Sequence, residues 1–325
     1  MTEPRGIGKF DHLLAAADTA SPWSGPITDR IYTPSLDLLG QMLAIPVSED
    51  APSQSGLYGK CLDAWFAHEF RRAGFDPDIV WPRATTPRVL PQDVGKLLSN
   101  LPRELGNEVR TRVESMTSVA PQDANIRGRA YVKQVDVVIS SWQTGPELLL
   151  STKAQNFSFG NNLANRFEEA YGDAGNLRAR YPLAAIGFAF VMRSTILDNP
   201  RLFDRAVDMM RKLRDRGDGN GYTSTCLLVT DWADDNTVTI NTDAAPHDLG
   251  CIKDLGQPLE ARGSRSWQRV RGGSSVRSSR PRRCSWSCRV TARLPRWPGS
   301  WRSTRALWAT GFRSTGRPVR SRTRR

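Results

Sequence analysis

Two neighbouring segments near the middle of the chain alternate between apolar and polar positions. Residues 133–140 (KQVDVVIS) carry Asp136 among valines, and residues 147–153 (ELLLSTK) place Ser151 and Lys153 on one face. A period of two predicts a β-strand in each case. The short stretch between them contains Gly and Pro and predicts a turn, so we expect an antiparallel hairpin.

The segments on either side predict an α/β fold with a central mixed sheet flanked by helices. Helices are expected first along the chain, followed by the order β-β-α-β-α-β-β, which is typical of that class. Predicted helices lie at about 10–20, 35–44, 57–73, 91–101, 102–116, 161–171 and 200–216, and predicted strands at 133–140, 147–153, 183–193, 223–232 and 236–242.

We expect three regions along the chain. Residues 1–56 form an N-terminal helical segment, and residues 57–256 form the α/β domain, with a helical insertion at about 91–118. From 257 to 325 the apolar periodicity disappears, which predicts a disordered tail rich in Arg and Trp.

The tail accounts for the basic character of the whole chain. The net charge is +13, but residues 262–325 hold 19 Arg and no Lys, Asp or Glu, so residues 1–261 sum to −6. Three interpretations stay open for the tail: a basic nucleic-acid-binding arm, a folded extension, and out-of-frame translation of a GC-rich gene, which we favour. Any argument for DNA must therefore come from a local site in the acidic body.

Several other function classes lose support from composition. The five Cys show no metal-ligand or disulfide spacing, and His12, His68 and His247 are scattered, which disfavours a zinc site or a histidine-based triad. No apolar run is long enough to cross a membrane, and the N-terminus lacks the apolar segment of a signal peptide. We expect a cytoplasmic protein that does not bind membranes.

Candidate chemistry is concentrated in the predicted hairpin. Pairing of the two strands brings Asp136 near Ser151 and Lys153, although the register cannot be read from the sequence. A carboxylate can hold Mg²⁺, which polarises a phosphate and activates water, and a lysine can orient that water or stabilise charge on the phosphate. This combination suits the metal-dependent cleavage of phosphodiester bonds.

A second carboxylate is needed, and two helices offer candidates. Glu168 borders the apolar stripe predicted for helix 161–171, whereas Glu169 points nearly opposite that stripe. Glu69 falls inside the buried stripe of helix 57–73, where a carboxylate needs a partner or a metal. We therefore expect Glu168 to lean towards the sheet and Glu69 to support the site from an upstream helix.

The stretch "VDVVIS…LLLSTKAQ" resembles the core of the PD-(D/E)xK nuclease superfamily. In that superfamily an Asp on one strand precedes an acid-x-Lys on the next, and here Ser151 stands at the acid position. A subgroup of type II restriction endonucleases has Ser-x-Lys and takes the missing carboxylate from the following helix, as Glu168 would supply. The resemblance covers about residues 57–195, and Val135 stands where the family's Pro is common.

The resemblance implies a Mg²⁺-dependent DNA endonuclease that acts in restriction or in phage defence. Asp136, Glu168 and the backbone carbonyl of Thr152 would hold the metal, Lys153 would position water or phosphate, and Glu69 would support them. The implied partners are double-stranded DNA, a second copy of the chain in a homodimer, and a cognate methyltransferase.

Polar side chains beside the hairpin add candidate DNA contacts, since Asn, Gln and Arg suit phosphate and base edges. They are Gln155, Asn161, Asn162, Asn165 and Arg166.

Structural roles stay open for each site residue. Lys153 can be a solvated strand end, Asp136 a salt-bridged acid, Glu168 a surface residue and Glu69 a partner of Arg72. The corresponding alternative function is a catalytically inactive nucleic-acid-binding protein with a nuclease-like fold.

Overall fold

A computed structural model describes residues 5–26 and 30–249, with every side chain in those ranges except Ser53 and Asn161. The prediction for residues 257–325 lies outside the described residues. The helices are α1 Asp11–Ala16, α2 Leu36–Ser48, α3 Leu57–Arg72, α4 Gln92–Asn100, α5 Arg103–Ser115, α6 Phe159–Arg178 and α7 Pro200–Arg214. The strands are β1 Trp23–Ser24, β2 Ile31–Tyr32, β3 Val80–Trp81, β4 Ala124–Arg127, β5 Val132–Val135, β6 Val137–Ser141, β7 Gly145–Gln155, β8 Ala185–Arg193, β9 Ser224–Trp232 and β10 Val238–Ile240.

The central sheet is mixed and has six strands in the order β10-β9-β8-β7-β6-β3. Strands β7, β8 and β9 are parallel to one another, whereas the outer pairings of β6 with β7, β3 with β6 and β10 with β9 are antiparallel. The α/β class with a central mixed sheet flanked by helices is therefore confirmed. A restriction-endonuclease-like core stays a prediction.

Alternation along β7 divides the hydrophobic core into two layers. Leu148 and Leu150 pack with residues of α2 and α3 on one side, and Leu149 packs with residues of α6 and α7 on the other. The "LLL" run is fully buried because helices cover both faces of the sheet, as is usual for parallel strands. The two layers place α3 and α6 on opposite sides of the segment that carries Ser151, Thr152 and Lys153.

The predicted hairpin forms, but its first strand is interrupted. Val137 pairs with Leu150 in an antiparallel ladder, whereas the segment before Asp136 leaves the central sheet and forms β5, which pairs with β4. The carboxylate of Asp136 accepts a hydrogen bond from the Thr152 N–H at 2.8 Å. A side chain thus takes the position of a ladder carbonyl, which explains why one alternating segment becomes two strands.

The two helices predicted within 91–118 form as α4 and α5, and they share a small core of their own built on Leu90, Leu98, Val113 and Ala120. α6 begins and ends beyond its predicted limits of 161–171. Burial of Ala174 and Leu177 stabilises the helix past Gly172 and Gly175. This stabilisation comes from tertiary packing, which helix propensity alone does not include. None of the described helices is both long and apolar enough to span a bilayer.

Replacement of a core leucine on β7 should measure how much this packing contributes to the free energy of unfolding. Leu150 is 0% exposed, so Leu150→Ala should lower the free energy of unfolding by about 2–5 kcal/mol. Leu183 is 88% exposed, so Leu183→Ala should change it by less than about 0.5 kcal/mol. Urea unfolding of the three proteins checks both values, and equal stabilities would contradict the described burial.

Candidate functional site

The end of β7 carries side chains to both faces of the sheet. The Thr152 hydroxyl points to the α3 side, where it donates a hydrogen bond to Oδ1 of Asp63 at 2.7 Å. Lys153 points to the α6 side, where its Nζ lies 3.3 Å from Oε1 of Glu169. Successive residues of the predicted Ser-x-Lys segment therefore contact different helices.

Asp136 lies beside this segment, as the hairpin predicts. Its carboxylate is held by the Thr152 N–H, and burial raises the pKa of Asp136 while the positive charge of Lys153 opposes that rise. Ser151 is buried and pairs with Phe188 in the ladder between β7 and β8. The hairpin thus brings Asp136, Ser151 and Lys153 into one neighbourhood.

Asp63 on α3 is a site residue that the sequence did not reveal. It is 3% exposed, and its Oδ2 lies 3.8 Å from Nζ of Lys60. Burial raises the pKa of Asp63 well above its usual range, and the negative charge of Asp136 raises it further. All residues from 61 to 67 are buried, so every face of this part of α3 is covered. An acid within such a helical segment is the sequence feature that could have identified Asp63.

Glu69 lies on α3 with Asp63, and its carboxylate has partners of its own. Its Oε2 accepts a hydrogen bond from the Tyr32 hydroxyl at 2.7 Å, and Oε1 lies 2.9 Å from Nη1 of Arg72. Six residues of helix separate it from Asp63, which is roughly 9 Å along the axis. Tyr32 and Arg72 thus satisfy this carboxylate, and support of the site by Glu69 stays a prediction.

On α6 it is Glu169, and not Glu168, that reaches Lys153. Glu168 is exposed, whereas Glu169 is partly buried. Prediction of the helix face relied on apolar residues alone and took Tyr171 as part of the buried stripe, but Tyr171 is exposed. The polar residues Asp173 and Asn176 are buried instead, so the buried face of α6 is rotated from the predicted one and lies nearer to Glu169.

Glu169 is the centre of an ion-pair network. Besides Lys153 it contacts Nζ of Lys133 at 3.1 Å and Nη1 of Arg166 at 3.2 Å. Burial raises its pKa, but the charge of Lys153 and the hydrogen bond from Lys133 outweigh burial and hold the pKa of Glu169 at about 2. Glu169 is therefore ionised at every pH at which the protein would act.

Lys133 extends this network to a second carboxylate. Its Nζ lies 2.6 Å from Oδ2 of Asp173, whose Oδ1 accepts the Tyr131 hydroxyl at 2.8 Å. Lys133 and Asp173 were also missed by sequence reasoning. Their only sequence signal is a polar residue at an inward position of a strand or helix.

The expected DNA contacts have mixed surroundings. Gln155 is buried and its amide donates to the Ser158 carbonyl at 3.2 Å, so it is not placed to contact a ligand from solvent. Asn162 and Asn165 are exposed on α6, and Arg166 is engaged with Glu169. The side chain of Asn161 lies outside the described residues.

The donor set fits a two-carboxylate cation site. Asp63, which is buried, and Asp136, which is partly buried, approach Thr152 from two elements, and burial raises the pKa of each. A divalent cation would relieve that cost, and Mg²⁺ accepts one or two carboxylates together with water and phosphate oxygens. In the part of the chain that the structure describes, no group of three or more His, Cys, Asp or Glu is arranged to hold a metal.

Comparison with known proteins adds no relative. No protein-family model, curated protein or solved structure matches the chain significantly.

Removal of one buried charge should stabilise the protein. The pKa of Asp63 is raised in the folded state, so its contribution to stability is favourable below the unfolded pKa and is lost as the pH rises through the folded pKa. Asp63→Asn should therefore be more stable than the parent at pH 8 in EDTA, with the difference shrinking towards pH 4. Urea unfolding across this range measures it.

Asp173→Asn is the matched control for that experiment. It weakens the ion pair with Lys133 and the Tyr131 hydrogen bond, so it should lower stability at pH 7. An Asp63→Asn protein that is less stable than the parent at pH 8 would contradict the described burial of that charge.

Proposed function

We propose that the chain is a Mg²⁺-dependent DNA endonuclease in which Asp63, Asp136 and Lys153 are the catalytic residues. The observation that carries the proposal is the approach of two carboxylates to Thr152, directly before Lys153, with Asp63 buried and Asp136 partly buried. Protein interiors avoid two neighbouring buried acids unless a bound cation or a shared proton compensates them. The motif resemblance around Asp136 and Lys153 supports the same reaction.

Asp63 and Asp136 would hold the cation with hard carboxylate oxygens. Bound there, Mg²⁺ would polarise the scissile phosphate and lower the pKa of a water molecule. Thr152 fixes both carboxylates through its hydroxyl and its N–H, so their geometry is set before a ligand arrives. A contribution of the Thr152 carbonyl to the metal stays a prediction.

Lys153 would stabilise negative charge on the phosphate or orient the attacking water. Glu169 acts on it as a positioning residue, because its carboxylate lies 3.3 Å from Nζ and stays ionised. Lys133 in turn restrains Glu169. In this proposal Asp63 takes the metal-holding role that the sequence gave to Glu168, and Glu169 takes the supporting role that the sequence gave to Glu69.

A second candidate is a DNA-binding protein without catalysis. The ion pair between Lys153 and Glu169 favours it, since a lysine already neutralised by a carboxylate is less available to a phosphate. Ser151 at the acid position points the same way. A role in restriction or phage defence, with a homodimer and a cognate methyltransferase, rests on the resemblance and forms part of the first proposal.

Cleavage of long duplex DNA separates the two candidates. With Mg²⁺, Asp136→Asn, Asp63→Asn and Lys153→Ala should each reduce the cleavage rate by about 10²-fold or more, because each removes a group that acts on the reacting phosphate. Glu169→Gln should lower kcat by roughly tenfold with little change in KM.

Glu168→Gln is the matched control, since it neutralises the adjacent acid on the exposed side of α6. It should cleave like the parent. Equal rates for all variants would reject the catalytic assignment, and a loss with Glu168→Gln alone would restore the original choice of acid.

Metal binding can be tested without activity. Millimolar Mg²⁺ should raise the melting temperature of the parent by a few degrees, because a ligand that binds only the folded state stabilises it. Asp63→Asn and Asp136→Asn should lose this rise, and Glu168→Gln should keep it. A rise of the same size in all four proteins would place Mg²⁺ elsewhere.

A further inference from the structure

Strands β4 and β5 form a two-stranded ribbon outside the central sheet. Asn125 lies opposite Gln134 and Arg127 lies opposite Val132. Directly opposed residues of an antiparallel pair share a face, and these four are all exposed. We call Asn125, Arg127, Val132 and Gln134 the outer ribbon face.

The inner face of the ribbon packs on the protein. Ala124, Ile126 and Val135 are buried in the core on the α6 side, and Lys133 contacts Glu169 and Asp173. One face is therefore accounted for by folding, whereas the outer ribbon face has no packing partner among the described residues.

The turn of the ribbon is held rigidly by one residue of α6. Oδ1 of Asn176 accepts the N–H groups of Ala130 at 2.8 Å and Tyr131 at 3.2 Å, and its Nδ2 donates to the Tyr131 carbonyl at 3.1 Å. A Cβ at Gly128 would overlap the Asn176 amide, so only Gly allows this approach. A ligand of the ribbon would bind an ordered surface at little entropic cost.

Positive charge lies at the turn end of the outer ribbon face. Arg127, Arg129 and Arg180 are exposed, and none of them forms an ion pair within the described residues. The Tyr181 hydroxyl donates to the Arg127 carbonyl at 3.0 Å, and the Arg180 guanidinium lies 5.8 Å from the Tyr181 ring centroid, which brings Arg180 beside the ribbon. The carboxylates of Glu169 and Asp173 lie on the inner side, where Lys133 contacts both.

The amide side chains on this face are also unusual in a strand. Asn is disfavoured in strands, and Asn125 makes only a long contact from Nδ2 to the Asp123 carbonyl at 3.5 Å. Gln134 makes no side-chain hydrogen bond to a described residue. Folding does not require these amide groups, so they are available to an external partner.

We propose that the outer ribbon face enters the major groove of duplex DNA and reads base edges. A two-stranded ribbon fits the width of that groove, Asn and Gln pair with adenine, Arg pairs with guanine or phosphate, and an apolar side chain contacts the thymine methyl. This inference rests on the proposed function and deepens it by naming the element that would select the sequence. β5 ends one residue before Asp136, so the ribbon and the candidate site have a fixed relation.

The experiment selects bound sequences from a random duplex pool with the full chain in EDTA, where no cleavage occurs. Asn125→Ala/Gln134→Ala should relax the selected sequence at adenine positions, with a preference loss of about tenfold or more at each. Gln41→Ala/Asn107→Ala is the control, since both side chains are exposed on α2 and α5. N7-methylation of guanine should interfere with binding of the parent, which distinguishes the major groove from the minor.

Charge is tested separately. Arg127→Ala/Arg129→Ala should weaken binding and reduce the salt slope of log K by up to about 1.8, the value for two phosphate contacts. Arg103→Ala/Arg110→Ala removes the same charge from exposed positions of α5 and should leave the slope unchanged. Arg127→Lys keeps the charge but loses the bidentate fork, so it should relax one guanine position without changing the slope.

The outcomes separate this inference from the nuclease proposal. If the ribbon variants select the same sequences as their controls, or the parent selects none, the ribbon inference is overturned, whether or not the same preparations cleave DNA with Mg²⁺. If selection depends on the ribbon while the parent does not cleave, the ribbon inference stands and the nuclease proposal fails. Circular dichroism of each variant identifies any that are unfolded, for which Arg127→Lys is the substitute.

Discussion

The arrangement of the candidate site depends on Thr152. Its N–H holds Asp136 and its hydroxyl holds Asp63, so one residue of β7 fixes two carboxylates that repel each other. The N–H bond is also what interrupts the preceding strand and frees β5 to pair with β4. The position of the acids and the existence of the ribbon therefore follow from the same interaction.

The main helices, the central strands and the fold class could be predicted from the sequence because period-two and period-3.6 patterns directly report which faces are buried, whereas the short strands β1, β2 and β4 were not predicted. The leucines of β7 and the valines of β6 determine their strands, and the stretch Leu57–Arg72 forms the helix that its apolar stripe predicts. The hairpin placed Asp136 beside Lys153 for the same reason. These features depend on local periodicity and on adjacent elements.

The choice among acids could not be predicted, since it depends on contacts between distant segments. Glu69 looked functional because it is buried, yet Tyr32, far away in sequence, supplies its partner. Asp63 and Glu169 were missed because hydrophobicity alone defined the helix faces, whereas buried Asp173 and Asn176 decide the rotation of α6. A prediction that scores only apolar residues cannot identify polar residues that are buried and hydrogen-bonded inside a fold.

α6 links two parts of the molecule along one rigid body. Glu169 contacts Lys153, and Asn176, seven residues later, holds the ribbon turn about two helical turns away. Insertion or deletion of a single residue between them would rotate one contact by about 100° relative to the other. Evolution of this chain can therefore vary the side chains of the outer ribbon face, but it must conserve the length and phase of the helix beneath them.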